Sequence, residues 1–330
     1  MTNPKSIRTA SKTSRPKREA SVRKSRKDGI ETFTARDLQH MDFPPLRFAV
    51  QGYIAEGLTL LAGKPKIGKS WMALDFAMAI ATGGVALGSI NCEQGPVLYC
   101  ALEDNHRRLQ RRMRKLYGTT DRWPKSFHFT TSMKRLDEGL LDDLRDWIGE
   151  YEPRLIIIDT LACIKPQSKK ESGYSADYAA LGPLQVLAGE LGIAIVLIHH
   201  LRKMHGDDPF DMISGTTGLT GAVDAALVLQ RGVDGPTLYG RGREIEEIEV
   251  ALELTDGAWK ILGEPSAVRR SDERNAIIKV MTDAKKPLGP KQISDALEKE
   301  ENNIKQLLRK MSISNEVKKQ SRGRYILPKS

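Results

Sequence analysis

Cysteine is scarce in this chain. Only Cys92, Cys100 and Cys163 occur, none at metal-ligand spacing, and Cys100 lies inside an apolar run. A metal site built on cysteine is therefore not expected, and reduced thiols in a cytoplasmic protein are the simplest account. Long hydrophobic runs are missing too: acids interrupt even the most apolar stretches well short of a bilayer's width, so no membrane role is expected. No internal repeat stands out. Residues 1–30 have almost no large apolar side chains, so they cannot bury a core, and a disordered basic tail is expected over residues 1–35. A transit peptide fits less well, because an apolar helical stripe is missing.

Positive charge is not spread evenly. Residues 1–30 carry ten Lys/Arg against two Asp/Glu, residues 269–330 carry sixteen against eight, and the remainder carries 26 against 32. The net charge of +10 thus comes from the two ends, around a mildly acidic middle. Clustered Lys/Arg at the ends points to nucleic acid, where phosphate neutralisation releases counterions.

Against these absences stands one strong presence. Residues 63 to 70 read Gly63-Lys64-Pro65-Lys66-Ile67-Gly68-Lys69-Ser70, a complete GxxxxGK[ST] phosphate loop. Glycines at both ends let the backbone curl round phosphates, Lys69 reaches the β and γ phosphates, and the Ser70 hydroxyl holds Mg²⁺. The run Leu58 to Ala62 predicts the strand before it. A helix from Trp71 to Thr82 is predicted after it, with Met72, Phe76 and Ala79 on one face. ATP with Mg²⁺ is the expected cofactor pair, and Lys69 is expected in an exposed loop.

Three more apolar strands are predicted, and each ends in polar residues, where open α/β sheets hold their ligands. Pro96 to Leu102 ends in Glu103-Asp104, Leu155 to Ile158 in Asp159-Thr160, and Ile193 to Ile198 in His199-His200. Asp159 has the position of an aspartate that holds Mg²⁺ through water. Threonine follows it, so this strand offers no carboxylate to activate water. Glu103 is the candidate base, while Asp104 is expected to cap a helix over Asn105 to Leu116. One of His199 and His200 is a candidate γ-phosphate sensor. Arg241 and Arg243, just before an alternating strand-like run, are candidates for a cation supplied to a neighbour's site, with Arg231 in reserve.

The run Leu60 to Trp71, Leu102-Glu103-Asp104, Ile158-Asp159-Thr160, Ile198-His199-His200 with Lys203, and Ser214 to Asp224 resemble the RepA-type branch of the RecA-like hexameric helicase ATPases. That branch serves replication of plasmids, phages and integrated elements. The resemblance covers about residues 45 to 262. It implies a RecA-like, mainly parallel sheet, a ring of subunits with shared ATP sites, Glu103 as catalytic base, and His199 or His200 as sensor.

The expected organisation is an α/β RecA-like P-loop ATPase domain over 36–264 and a small winged-helix domain over 265–330, joined by the linker Gly263-Glu264-Pro265-Ser266. In the latter, a helix through Ile277, Ile278 and Met281 is followed by Pro290 to Leu297, Glu301 to Met311, and strands at Val317 to Lys319 and Arg324 to Leu327. Lys305, Arg309 and Arg322 would meet phosphates or base edges of duplex DNA there, although the same module serves protein contacts elsewhere. Loops after the third and fourth core strands offer Lys169, Lys170, Arg202 and Lys203 to single-stranded DNA. The expected function is a ring-forming, ATP-hydrolysing replication helicase on single-stranded DNA. The alternative is a DNA-binding regulatory or recombination/repair ATPase of RecA type that does not unwind.

Overall fold

The structure is a computed structural model that describes residues 32–119, 122–166, 174–201, 208–213, 218–232, 235–321 and 323–328. The disordered tail expected over residues 1–35 lies outside them as far as residue 31, and its last residues are corrected: Thr34 caps a helix that begins at Ala35. Two units are distinguished, 1–46 and 47–330. In the first, a short helix, Ala35–Gln39, is fixed by a capping box. The Thr34 hydroxyl accepts from the Asp37 N–H at 3.1 Å, and the Asp37 carboxylate accepts from the Thr34 N–H at 2.8 Å. It buries no side chain.

The second unit is built on a nine-stranded sheet. In chain order its strands are β1 (Gly57–Gly63), β2 (Val97–Ala101), β3 (Phe127–Thr130), β4 (Leu155–Asp159), β5 (Ala194–His200), β6 (Ala225–Gly232), β7 (Gly235–Gly242), β8 (Ile248–Thr255) and β9 (Ala258–Gly263). The spatial order is β9-β8-β7-β6-β1-β5-β4-β2-β3. From β6 to β3 all pairs are parallel, and β6 to β9 form an antiparallel extension. The architecture is α/β with a mixed, mostly parallel sheet.

Strands β1, β2 and β4 are buried along their whole length, because helices cover both faces. Alternate residues serve two cores: Leu61 and Ile157 face one, and Leu58, Leu60, Ile156 and Ile158 face the other. Helices α1 (Lys69–Thr82) and α2 (His106–Tyr117) supply the first core. Helices α3 (Leu140–Tyr151) and α4 (Tyr174–Leu191) supply the second. Helix α1 starts two residues earlier than predicted, and it is buried nearly all round rather than on one face. It stops at Gly83, whose φ of 69° gives a left-handed cap with its N–H bonded to the Ala79 and Ile80 carbonyls. Strand β5 runs on through His199 and His200, so this polar pair belongs to the strand rather than following it.

Residues beyond the sheet fold as α5 (Pro265–Ala284), α6 (Pro290–Leu297), α7 (Glu301–Ile313) and an antiparallel pair, Lys318–Ser321 with Arg324–Ile326. Leu288 bridges to Tyr325. Ile277, Met281, Leu288, Ile293, Ile304, Leu308, Met311 and Val317 form a core of their own. The expected linker is corrected: α5 begins at Pro265, directly after Glu264, because a proline at the first helical position has its φ already set and needs no N–H.

One side chain ties the antiparallel extension to the phosphate loop. Trp259 on β9 is 1% exposed, and its indole N–H donates to the Gly68 carbonyl at 3.0 Å. A Cβ at Gly68 would stand 2.7 Å from the Trp259 ring, and Gly68 has φ +116°, so only glycine fits there. Replacing Trp259 with Ala should lower the unfolding free energy by about 3–5 kcal/mol in urea titrations. Phe at the same position should cost less, since it keeps most of the apolar contact and loses the donor. A Trp259→Ala protein as stable as the parent would remove this tie from the account.

Candidate functional site

The loop between β1 and α1 is shaped by two left-handed residues, Lys66 at φ 64° and Gly68 at φ 116°. Gly68 turns the chain into α1, where the first-turn N–H groups have no partner within the helix. That arrangement suits an anion.

Lys69 is the first residue of α1 and only 4% exposed. The exposed-loop expectation is thereby corrected. Its ammonium donates to the Gly63 carbonyl at 2.7 Å and the Lys64 carbonyl at 3.1 Å, and lies 3.2 Å from His200 Nδ1. Burial pushes its pKa down to about 8, against the opposing pull of the Asp159 and Glu103 carboxylates.

Asp159 ends β4 and is 7% exposed. Its carboxylate accepts from the Tyr99 hydroxyl at 2.8 Å and from the Ser70 hydroxyl. Burial raises its pKa, and the two hydroxyls and Lys69 oppose that rise. Tyr99 is wholly buried in β2 and its own pKa is pushed well up, first by burial and then by Asp159. Ser70 and Asp159 thus put two hard oxygen donors side by side. That set fits a Mg²⁺ ion that takes its remaining ligands from water and phosphate. Among the described residues no group of three or more His, Cys, Asp or Glu forms a protein cage for a metal.

Glu103 follows β2, the neighbour of β4. Thr160 Oγ1 donates to Glu103 Oε1 at 2.9 Å, and His200 Nε2 lies 3.7 Å from Oε2. The threonine after Asp159 therefore holds the carboxylate it does not itself supply. His200 stands between Glu103 and Lys69. Its place follows from register, since β5 pairs His200 with Gly63, the first loop glycine, and His199 with Ala62.

Asp104 does not cap α2. Asn105 does, accepting from the Arg108 N–H at 2.9 Å. Asp104 instead pairs with Arg108 at 2.5 Å and Arg112 at 2.6 Å, and Arg108 also donates to the Glu103 carbonyl at 2.9 Å. Trp71, in the first turn of α1, lies under Arg112 and Lys115 at 5.6 and 5.9 Å.

The two arginine candidates are engaged within their own chain. Arg241 pairs with Asp208 at 2.6 Å and Glu247 at 3.0 Å and stacks on Phe210 at 4.6 Å. Arg243 pairs with Asp224 at 3.1 Å, and Asp224 also accepts from the Leu58 N–H and the Gln185 amide. Arg241 lies in β7, and Arg243 follows the end of that strand. Arg231 lies inside β6, near its end, and is exposed. Lys169, Lys170, Arg202, Lys203, Arg322 and the segment 214–217 lie outside the described residues. Lys305 pairs with Glu301 at 2.8 Å, and Arg309 is exposed.

A family model described as "AAA domain" matches residues 24–206, more than half of the chain. The chain belongs to the AAA-domain family. This AAA-domain chain is also similar in fold to a solved ATPase domain of another protein, with a TM-score of 0.50 and 14% identity, over 63% of this chain and 85% of that one. Its core is a nucleotide-binding ATPase domain of α/β fold, and no described helix is long and apolar enough to cross a membrane.

The buried lysine has a signature in solution. Its folded pKa is near 8 and the ordinary value is 10.5, so the unfolded chain binds more protons between those limits. Without nucleotide, stability should therefore rise from this residue as pH increases through that window. Lys69→Met should flatten the rise relative to the parent in urea unfolding. Identical pH profiles for the two proteins would contradict the burial of this charge.

Proposed function

We propose that the chain is a RepA-type motor: a ring-forming ATPase that acts on single-stranded DNA as a replication helicase. The observation that carries this reading is Glu103, held by Thr160 on a strand beside the Asp159 strand and facing His200 and Lys69. A water attacking the γ phosphate needs a proton acceptor in that place. Lys69 exchanges its two loop carbonyls for phosphate oxygens. Ser70 and Asp159 would hold Mg²⁺, which when bound would offset the negative charge of the phosphates. Glu103 takes the proton of the attacking water, and Thr160 fixes one of its oxygens so that the other faces the reaction. His200, in contact with both Lys69 and Glu103, registers whether the γ phosphate is present.

In a ring, a neighbour's Arg243 or Arg241 stabilises charge on the transferring group after leaving its own Asp224 or Asp208. The 265–330 segment acts as a winged-helix domain, with α7 offering Lys305 and Arg309 to duplex DNA. The engagement of both arginines by acids of their own chain favours a second reading, a DNA-bound regulatory ATPase that hydrolyses ATP without unwinding.

Glu103→Gln should keep ATP binding and lose about 10²- to 10⁴-fold in hydrolysis, the usual range for removing a general base. Turnover at the parent's rate would place the base elsewhere. Mixed with Arg243→Ala, also inactive, it should recover partial activity once subunit exchange is verified. No recovery at any ratio would remove the shared site. Strand displacement on a forked substrate by the parent separates motor from regulator.

A further inference from the structure

Helix α2 is the most basic element of the described core. Its twelve residues include Arg107, Arg108, Arg111, Arg112, Arg114 and Lys115 and no Asp or Glu. It interrupts a middle region with more acids than bases. Leu109 and Met113 pack it onto the sheet, leaving the opposite side to solvent.

Intrachain acids account for half of this charge. Asp104 takes Arg108 and Arg112, and Asp256 takes Lys115 at 3.3 Å. Arg107, Arg111 and Arg114 are exposed and have no acidic partner among the described residues. They recur at i, i+4 and i+7, one stripe about 10 Å long on the outer face.

Local electrostatics opposes the first two of these arginines, whereas Arg114, in the last turn, is favoured by the helix dipole. Arg107 lies in the first turn, where the helix dipole disfavours a cation, and that turn holds no acid to offset it. Arg107 with Arg111, and Arg111 with Lys115, are like-charge pairs at i,i+4, each destabilising by a few tenths of a kcal/mol. Two exposed arginines placed against local preference, Arg107 and Arg111, are explained by an anion from outside the chain. Arginine rather than lysine at all three positions fits phosphate, which the guanidinium fork meets in a bidentate manner.

We propose that Arg107, Arg111 and Arg114 bind the phosphate backbone of single-stranded nucleic acid. The proposal rests on the nucleic-acid reading given above and adds a contact surface separate from the loops and the 265–330 segment. It also ties binding to chemistry. The stripe lies on the helix whose Arg108 holds the Glu103 carbonyl, so a strand lying on α2 bears on the segment that carries Glu103. Phosphate is favoured over an acidic protein surface because both ends of the chain are basic as well.

The test is fluorescence anisotropy of a labelled oligo(dT) with the full chain, titrated with salt between about 50 and 200 mM. R107Q/R111Q/R114Q should bind roughly tenfold or more weakly, and its slope of log K against log salt should be shallower by about 2, as three lost single-strand phosphate contacts require. The triple Arg→Lys variant should recover most of the slope, which a merely structural role for the arginines would not allow. Single Glu substitution at Arg111 provides a second variant should the triple fold poorly. If the parent binds oligo(dT) and the Gln and Glu variants bind it with the same affinity and slope, the stripe is not a nucleic-acid contact and the wider reading stands. A smaller assembly mass with unchanged binding would assign the stripe to an acidic face of a second copy, also overturning the proposal. If the parent itself does not bind, the nucleic-acid reading fails and this one with it.

Discussion

A lysine ammonium held inside the protein sets the terms for everything around it. An unpaired buried cation would cost several kcal/mol, and a charge in such a place survives only when it is paired and hydrogen-bonded. Lys69 meets that condition through two loop carbonyls, the carboxylates of Asp159 and Glu103, and the His200 ring. Each partner comes from a different piece of chain: the loop itself, the end of β4, the residues after β2, and the end of β5. The charge can be satisfied only if these strands lie side by side with their carboxyl ends level. Sheet order is thus a requirement of the site as much as a consequence of apolar packing. Phosphate is the natural replacement for the carbonyls, because it offers the same ammonium more negative charge.

A second set of contacts keeps the loop in shape. Trp259 reaches from the antiparallel extension to the Gly68 carbonyl, and Gly257, with φ +94°, lets the β8–β9 turn approach Trp71 so closely that a Cβ would stand 2.7 Å from its ring. The extension therefore bears on the phosphate loop itself. Asp224 does similar work at the other end of β1, accepting from the Leu58 N–H while holding Arg243.

Much of this is legible in the sequence, for identifiable reasons. The phosphate loop announces itself because its chemistry demands particular residues at fixed spacing. Strands β1, β2, β4 and β5 are legible because full burial writes them as continuous apolar runs, and the polar residues ending them mark the ligand edge. Helices α6 and α7 carry clear periodicity and a starting proline or acid. What the sequence does not display is pairing across distance. Tyr99 sits in an apolar run and looks like core until its hydroxyl is found on Asp159; Trp259 has no local signal that it supports Gly68. The choice between His199 and His200 depends on register with β1, and the exchange of Asp104 for Asn105 as cap depends on two arginines a turn and more away. Lys69 looks exposed in the sequence because loops usually are, whereas here the helix begins one residue after Gly68 and draws the lysine inside.

On the proposed function, Lys69, Asp159 and Glu103 form one phosphate-transferring site. The most direct measurement is the Mg²⁺-dependent ATPase rate of the parent and of Lys69→Ala, with and without single-stranded DNA, on proteins shown to be folded by circular dichroism. The parent should hydrolyse ATP, stimulated by DNA, and the variant should show none above background. Hydrolysis by folded Lys69→Ala at near the parent's rate would contradict that site.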